Sequence, residues 1–309
     1  NMLENEALFD LIIPKSFYLP VFIIFFDYFY QQFFISYPFF KKVLSNKSKL
    51  QENDDKKSSK LIDGNIKHKN NIIKLIKALT ILLLSRALIV TLSNSENIEL
   101  VELLTNLISI VSTAFIFYKC VPREKLKTIL LCSITQKDRL KTVIQSDILL
   151  SFNGVILFTI KTLFASHFKN VQVISLLVFV NFYIVSIRFI QCIREKNWLN
   201  VLKYGLNYPV LYCMYHDVNN DTLYFIKIIQ VLYGTYWDLF MDWKLQLEIS
   251  KRIINKTTTY SLVILAVLLK FSFVYTHVFN GIVFIPLALE IIRRLIWVLL
   301  RLDYEYYAL

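Results

Sequence analysis

Apolar residues in this chain gather into runs of membrane length separated by short polar or basic stretches, not the alternation of a half-buried strand. Nine such runs are read, at about 16–37, 76–92, 98–118, 146–165, 171–192, 199–215, 223–242, 258–278 and 282–300. The expected fold is an all-α polytopic membrane protein with about nine transmembrane helices in a bundle. Between the first two runs, 41–71 is rich in Lys, Asn, Ser and Asp (NKSKLQENDDKKSSK), too polar to bury a core, and reads as a disordered basic loop. From 119 to 145, charge and hydrophobe recur at helical spacing (REKLKTILLCSITQKDRLKTVIQ), as in an amphipathic segment on a membrane surface. Two regions result: 1–145 with three helices, the loop and the amphipathic segment, and 146–309 with six helices.

Charge fixes an orientation on this pattern. The net charge of +12 sits largely in loops. With the N-terminus lumenal or extracellular, Lys41–Lys74, Lys119–Lys141, Arg194–Lys196, Lys244–Lys256 and the tail after Arg301 are cytoplasmic, whereas the opposite loops carry one basic residue, Lys169. Such an excess reports topology and contact with anionic membrane lipids, so nucleic acid is not an expected partner. With 5 Gly and no GxxxxGK[ST] or GxGxxG, a glycine-rich phosphate cradle is excluded. Four cysteines without CxxC spacing and four histidines without HExxH point to no metal, cofactor or disulfide framework. Glu4, Glu6 and Asp10 stand where a cleavable signal would be basic, so none is expected. Asn220-Asp221-Thr222 is a glycosylation triplet in a short lumenal loop.

The chemistry lies in charges inside the runs. In the last run, Glu290 shares a helical face with Arg293 and Arg294, and Trp297 follows one turn on. A charge at the centre of a bilayer helix costs about 2.5–3.5 kcal/mol on insertion scales, so a cluster of three should face a polar cavity and not lipid. Asp147, Lys203, Asp242 and Lys270 add one charge each from four other runs, and Ser151 lies on the face of Asp147. Converging them is the affordable arrangement, and the excess of cations suits a tetrahedral oxyanion such as phosphate, which forked guanidinium groups match. The acids would orient the cations and keep binding reversible. The competing reading is a set of structural interhelical ion pairs, which Asp238 fits better than the others. Arg188 and Arg194 fit either a cytoplasmic mouth or plain loop charge. No nucleophile–base pair or metal set occurs among these residues, so the chain is not read as an enzyme.

Three ordered stretches, IRFIQCIREKNWLNVLKYGLNYPV, YGTYWDLFMDWKLQL and PLALEIIRRLIWVLLRLDYE, resemble the EXS domain of eukaryotic phosphate exporters, the match running from about Ser146 to Glu305. No SPX-like helical hairpins precede Ser16, so sensing of inositol pyrophosphates by such a domain is not expected. In this the chain looks most like the fungal ER-retention-defective Golgi proteins. The resemblance implies return of inorganic phosphate from the Golgi lumen to the cytosol, a link to the sorting and retention of Golgi glycosyltransferases, and a homodimer. It also implies phosphate contacts at Asp147, Lys203, Tyr204, Asp242, Glu290, Arg293 and Arg294. The chain departs from the exporters at Leu150, where they have Asn, and at Lys270 and Phe273, which stand where they have Arg and a Trp; a gate at Phe273 would follow. A scaffold that sorts glycosylation enzymes without transporting anything is the alternative.

Overall fold

A computed structural model describes residues 21–23, 139–164, 170–216, 220–246, 252–271 and 284–308. The chain divides into two compact units, Asn1–Pro38 with Ser45–Arg123, and Phe39–Leu44 with Glu124–Leu309. In the first unit, residues 21–23 are helical and Phe22 and Ile23 are buried. The other residues of the first three apolar runs, the basic loop, Cys120, Cys132 and Phe273 lie outside the described residues.

The regular elements described in the second unit are all helical: α1 (Arg139–Phe164), α2 (Asn170–Arg194), α3 (Trp198–Gly205), α4 (Asn207–Tyr215), α5 (Asn220–Trp237) running into a π-helical turn (Asp238–Asp242), α6 (Lys256–Lys270) and α7 (Phe284–Tyr307). Among the described residues, two segments are long and apolar enough to cross a membrane, Thr142–Thr162 and Gln172–Arg194. Among the described residues, the six apolar runs from 146 onward correspond to seven helices. The start of α1 at Arg139 takes in the last residues assigned to a surface amphipathic segment. Thr142, Ile144 and Ser146 are buried there, because no Gly or Pro interrupts the helix-forming RLKTVIQS sequence.

The run 199–215 is two helices, not one. Pro209 lacks an N–H and its ring crowds the carbonyl of the residue four before it, which is Gly205, where α3 ends. Side-chain caps set two of the starts. Asn197 Oδ1 accepts the Asn200 N–H, and Asn255 Oδ1 accepts the Thr258 N–H at 2.8 Å. The turn from α2 to α3 closes with Lys196 at φ 55°, its N–H on Ile193 and the next N–H on Cys192 O, a Schellman arrangement that usually favours Gly.

α7 is the packed centre. Ile291, Trp297, Val298, Leu300 and Leu302 are each at most 2% exposed, and the helix packs on α1, α6 and the π turn. By contrast α2 exposes Phe179 and Phe182, and α5 exposes Phe225 and Leu232. Apolar faces of that kind suit hydrocarbon. Beyond Leu300, Asp303 is buried with Oδ1 accepting the Ile254 N–H, and burial raises its carboxyl above the ordinary value. Arg252 in the facing loop donates to the carbonyls of Trp243 and Lys244, and burial lowers its pKa.

Candidate functional site

The helices of the second unit line a partly open cavity of about 360 Å³. Lys203 from α3, Lys270 from α6 and Arg293 and Arg294 from α7 line it, together with the carboxylates of Asp238 and Glu290. Four cations against two acids leave an excess of two positive charges on the wall.

Asp238 is shared. Its Oδ1 accepts from Lys203 Nζ at 3.2 Å and its Oδ2 from Lys270 Nζ at 2.6 Å, so one carboxylate joins α3 to α6. Lys203 also reaches Asp242 Oδ2 at 3.4 Å and lies 5.6 Å from the centres of both the Tyr204 and Trp237 rings. Glu290 holds Arg293 in a bidentate pair, Nε at 2.7 Å and Nη2 at 2.6 Å, the geometry that i,i+3 spacing permits. Arg294 Nε donates to Ser151 Oγ at 2.6 Å, and its guanidinium sits 4.9 Å from the Trp297 ring centre. Ser151 in turn donates to the Asp147 carbonyl.

Of the residues singled out from sequence, Ser151, Lys203, Tyr204, Lys270, Glu290, Arg293 and Arg294 line the cavity, whereas Asp147 and Asp242 are not among its lining residues. Asp147 stands behind the wall. Its Oδ1 accepts from Arg188 Nε at 2.8 Å and from Tyr204 OH at 2.6 Å, and Arg188 is 2% exposed. Arg188 is therefore neither a mouth residue nor a loop charge. It continues through Gln191 to Ser146, so a buried chain of hydrogen bonds ties α1 to α2 and, through Tyr204, to α3.

Asp242 is likewise a clamp. It accepts from Trp237 Nε1, Trp297 Nε1 and Arg301 Nη1, at 3.2, 3.2 and 3.1 Å. On α-helical spacing Asp238 and Asp242 would share a face, but the π turn carries the backbone N–H of Trp243 to Asp238 O and separates their roles. The sequence reading favoured Asp242; the cavity holds Asp238. Four neutral amides in the lining, Asn153, Asn181, Asn207 and Gln230, carried no charge signal. They were visible only as polar positions within apolar runs. Cys192 and Cys213 are buried free thiols, and no group of His, Cys, Asp and Glu among the described residues could hold a metal ion.

An arrangement of this kind offers fixed cationic donors to a small anion. Comparisons with known proteins place the chain in family terms. Protein ERD1 of Saccharomyces cerevisiae (strain ATCC 204508 / S288c) is 28% identical over 159 residues, 40% of this chain and 44% of that protein. Phosphate transporter PHO1 homolog 4 of Arabidopsis thaliana is 31% identical over 152 residues, 39% of this chain and 20% of that protein. The similarity thus spans less than half the length of either relative. No solved structure matches the chain significantly. The profile of the EXS family matches residues 13–307, nearly the whole sequence, and the chain belongs to that family.

Proposed function

We propose that this protein is a phosphate carrier of the Golgi membrane that returns inorganic phosphate from the lumen to the cytosol, in support of glycosylation and of glycosyltransferase retention. The observation that carries the proposal is the meeting of Lys203, Lys270, Arg293 and Arg294, from three helices, around one cavity whose carboxylates do not neutralise them. Asp238 divides itself between two lysines, and the second carboxylate near Lys203, Asp242 at 3.4 Å, also serves Arg301. An oxyanion can compete for donors held in that way, because the acid that holds them already stretches between two.

The printed name of the plant relative, a phosphate transporter, supports the choice of anion. Golgi residence, the lumen-to-cytosol direction and the retention role rest on the resemblance to the fungal ER-retention-defective proteins. The phosphate-contacting set in this proposal is Ser151, Lys203, Tyr204, Lys270, Glu290, Arg293 and Arg294. Asp147 and Asp242 hold that set in position through Tyr204 and Lys203. The bidentate Arg293–Glu290 pair is the feature that favours the second reading, a non-transporting scaffold for sorting glycosylation enzymes, since it satisfies one guanidinium internally.

Purified protein in liposomes, loaded with labelled phosphate, decides between them. A carrier gives saturable phosphate flux that Arg294→Ala reduces at least ten-fold, the order expected for losing a charge-assisted contact of roughly 1.5–3 kcal/mol. A scaffold gives no flux above protein-free vesicles.

A further inference from the structure

The cavity wall carries two kinds of polar group. Asn153, Asn181, Asn207 and Gln230 line it beside the charged residues, and chain direction sets each of the four toward one end from a polar or glycine position on its own run. Asn207 lies one turn past Lys203 along α3–α4, and Gln230 lies one turn before Gly234 on the oppositely running α5. Asn153 follows Ser151 on α1, and Asn181 lies two turns before Arg188 on the returning α2. That end is the one nearer the loops assigned to the lumen.

The amides join in pairs, Asn153 Nδ2 to Asn181 Oδ1 at 2.6 Å and Gln230 Nε2 to Asn207 Oδ1 at 2.6 Å. Asn207 Nδ2 also donates to the Tyr204 carbonyl at 2.8 Å, which fixes the second pair to the residue after Lys203. The Asn153–Asn181 contact engages one of that pair's four N–H groups, with Asn153 donating or with both amides turned together, so three N–H groups lie outside this contact. Asn153 Oδ1 is a buried acceptor without a partner among the described residues.

We infer that this amide collar is a second, weaker station for a tetrahedral oxyanion such as inorganic phosphate, on the path between the lumenal end and the cationic end. The inference rests on the carrier reading. Uncharged donors replace part of an anion's hydration without creating a deep Coulomb well, so the anion can move on to the lysines and arginines.

Phosphate flux in liposomes, measured against concentration with the protein's orientation fixed, tests this. Asn181→Leu and Gln230→Leu should lower maximal phosphate flux roughly ten-fold, the equivalent of one lost hydrogen bond, with half-saturation moved less than about two-fold. Asn181→Ser, which keeps a donor, should recover part of the loss. Variants are compared only when monodisperse and with a wild-type thermal midpoint, and either one suffices if the other misfolds. Wild-type maximal flux in both Leu variants, or a loss in Asn181→Ser equal to that in Asn181→Leu, overturns the station while leaving the carrier intact. Absence of flux in the wild type overturns both.

Discussion

Gly234 offers a perturbation that should change function more than stability. A Cβ at this position would stand 3.0 Å from Lys270 Nζ and 3.3 Å from its Cε, so in Gly234→Ala the amine must retreat by a few tenths of an ångström. That amine makes the 2.6 Å bond to Asp238 and faces the cavity, so the retreat weakens a charge-assisted contact without removing either partner. An amine pushed from its place in the wall also makes a poorer charge-assisted contact with phosphate, and losing part of such a contact is worth about 0.5–1.5 kcal/mol, or roughly two- to twelve-fold in half-saturating phosphate. The same substitution in a helix interior stabilises the chain by about 0.5–1 kcal/mol through lost unfolded-state freedom. That gain is offset by the weakened Lys270–Asp238 pair, so the expected result is a thermal midpoint little changed, with phosphate half-saturation increased. A double-mutant cycle ties the effect to Lys270, because in a Lys270→Ala background Gly234→Ala should change half-saturation by less than about two-fold. An equal penalty in both backgrounds, or no penalty in the wild type, would refute the argument that Gly234 acts by giving Lys270 room.

Other consequences follow from the ion pairs. Asp147→Ala leaves Arg188 buried without its carboxylate and should destabilise the protein by about 3–5 kcal/mol, read as a large fall in thermal midpoint, whereas Asp147→Ala with Arg188→Met should recover much of it. Arg294→Lys keeps the charge but loses the fork that reaches Ser151, and should raise half-saturating phosphate about ten-fold with little loss of stability. Asp303 titrates above the ordinary carboxylate range because it is buried, so its charged form opposes folding. Thermal stability should then rise as pH falls through that raised value, and Asp303→Asn should flatten this rise and raise stability at neutral pH. A midpoint that falls over the same window, unaltered by Asp303→Asn, would contradict it.

Much of the site was legible because intramembrane charge is rare and must be explained. Glu290, Arg293 and Arg294 at i, i+3 and i+4 announced one polar face on an apolar helix, and α7 carries that face to the cavity wall. Lys203 and Lys270 were found by the same signal. Asp238 was read as an interhelical ion-pair residue, which it is, but its place in the cavity wall has a tertiary cause: both acids reach Lys203, and Asp242 is drawn aside by Trp297 and Arg301, which lie more than fifty residues away in sequence. Arg188 looked like a helix-end charge by position, but its partner Asp147 belongs to another helix, so nothing local could reveal the burial of the pair. The division of the 199–215 run at Gly205 was available in Pro209, a cue that window-averaged apolarity conceals. The amides escaped because neutral polar side chains barely lower the apolarity of a membrane-length run.

Equilibrium binding of labelled phosphate to the purified full chain tests the central claim most directly, comparing the wild type with Lys203→Met, Lys270→Met and Arg294→Ala. If the four cations form one oxyanion site, the wild type binds phosphate saturably, each variant weakens it by about ten-fold or more, and unlabelled phosphate displaces the label. A well-folded wild type that binds no phosphate, or variants that bind it as tightly as the wild type, would contradict the account.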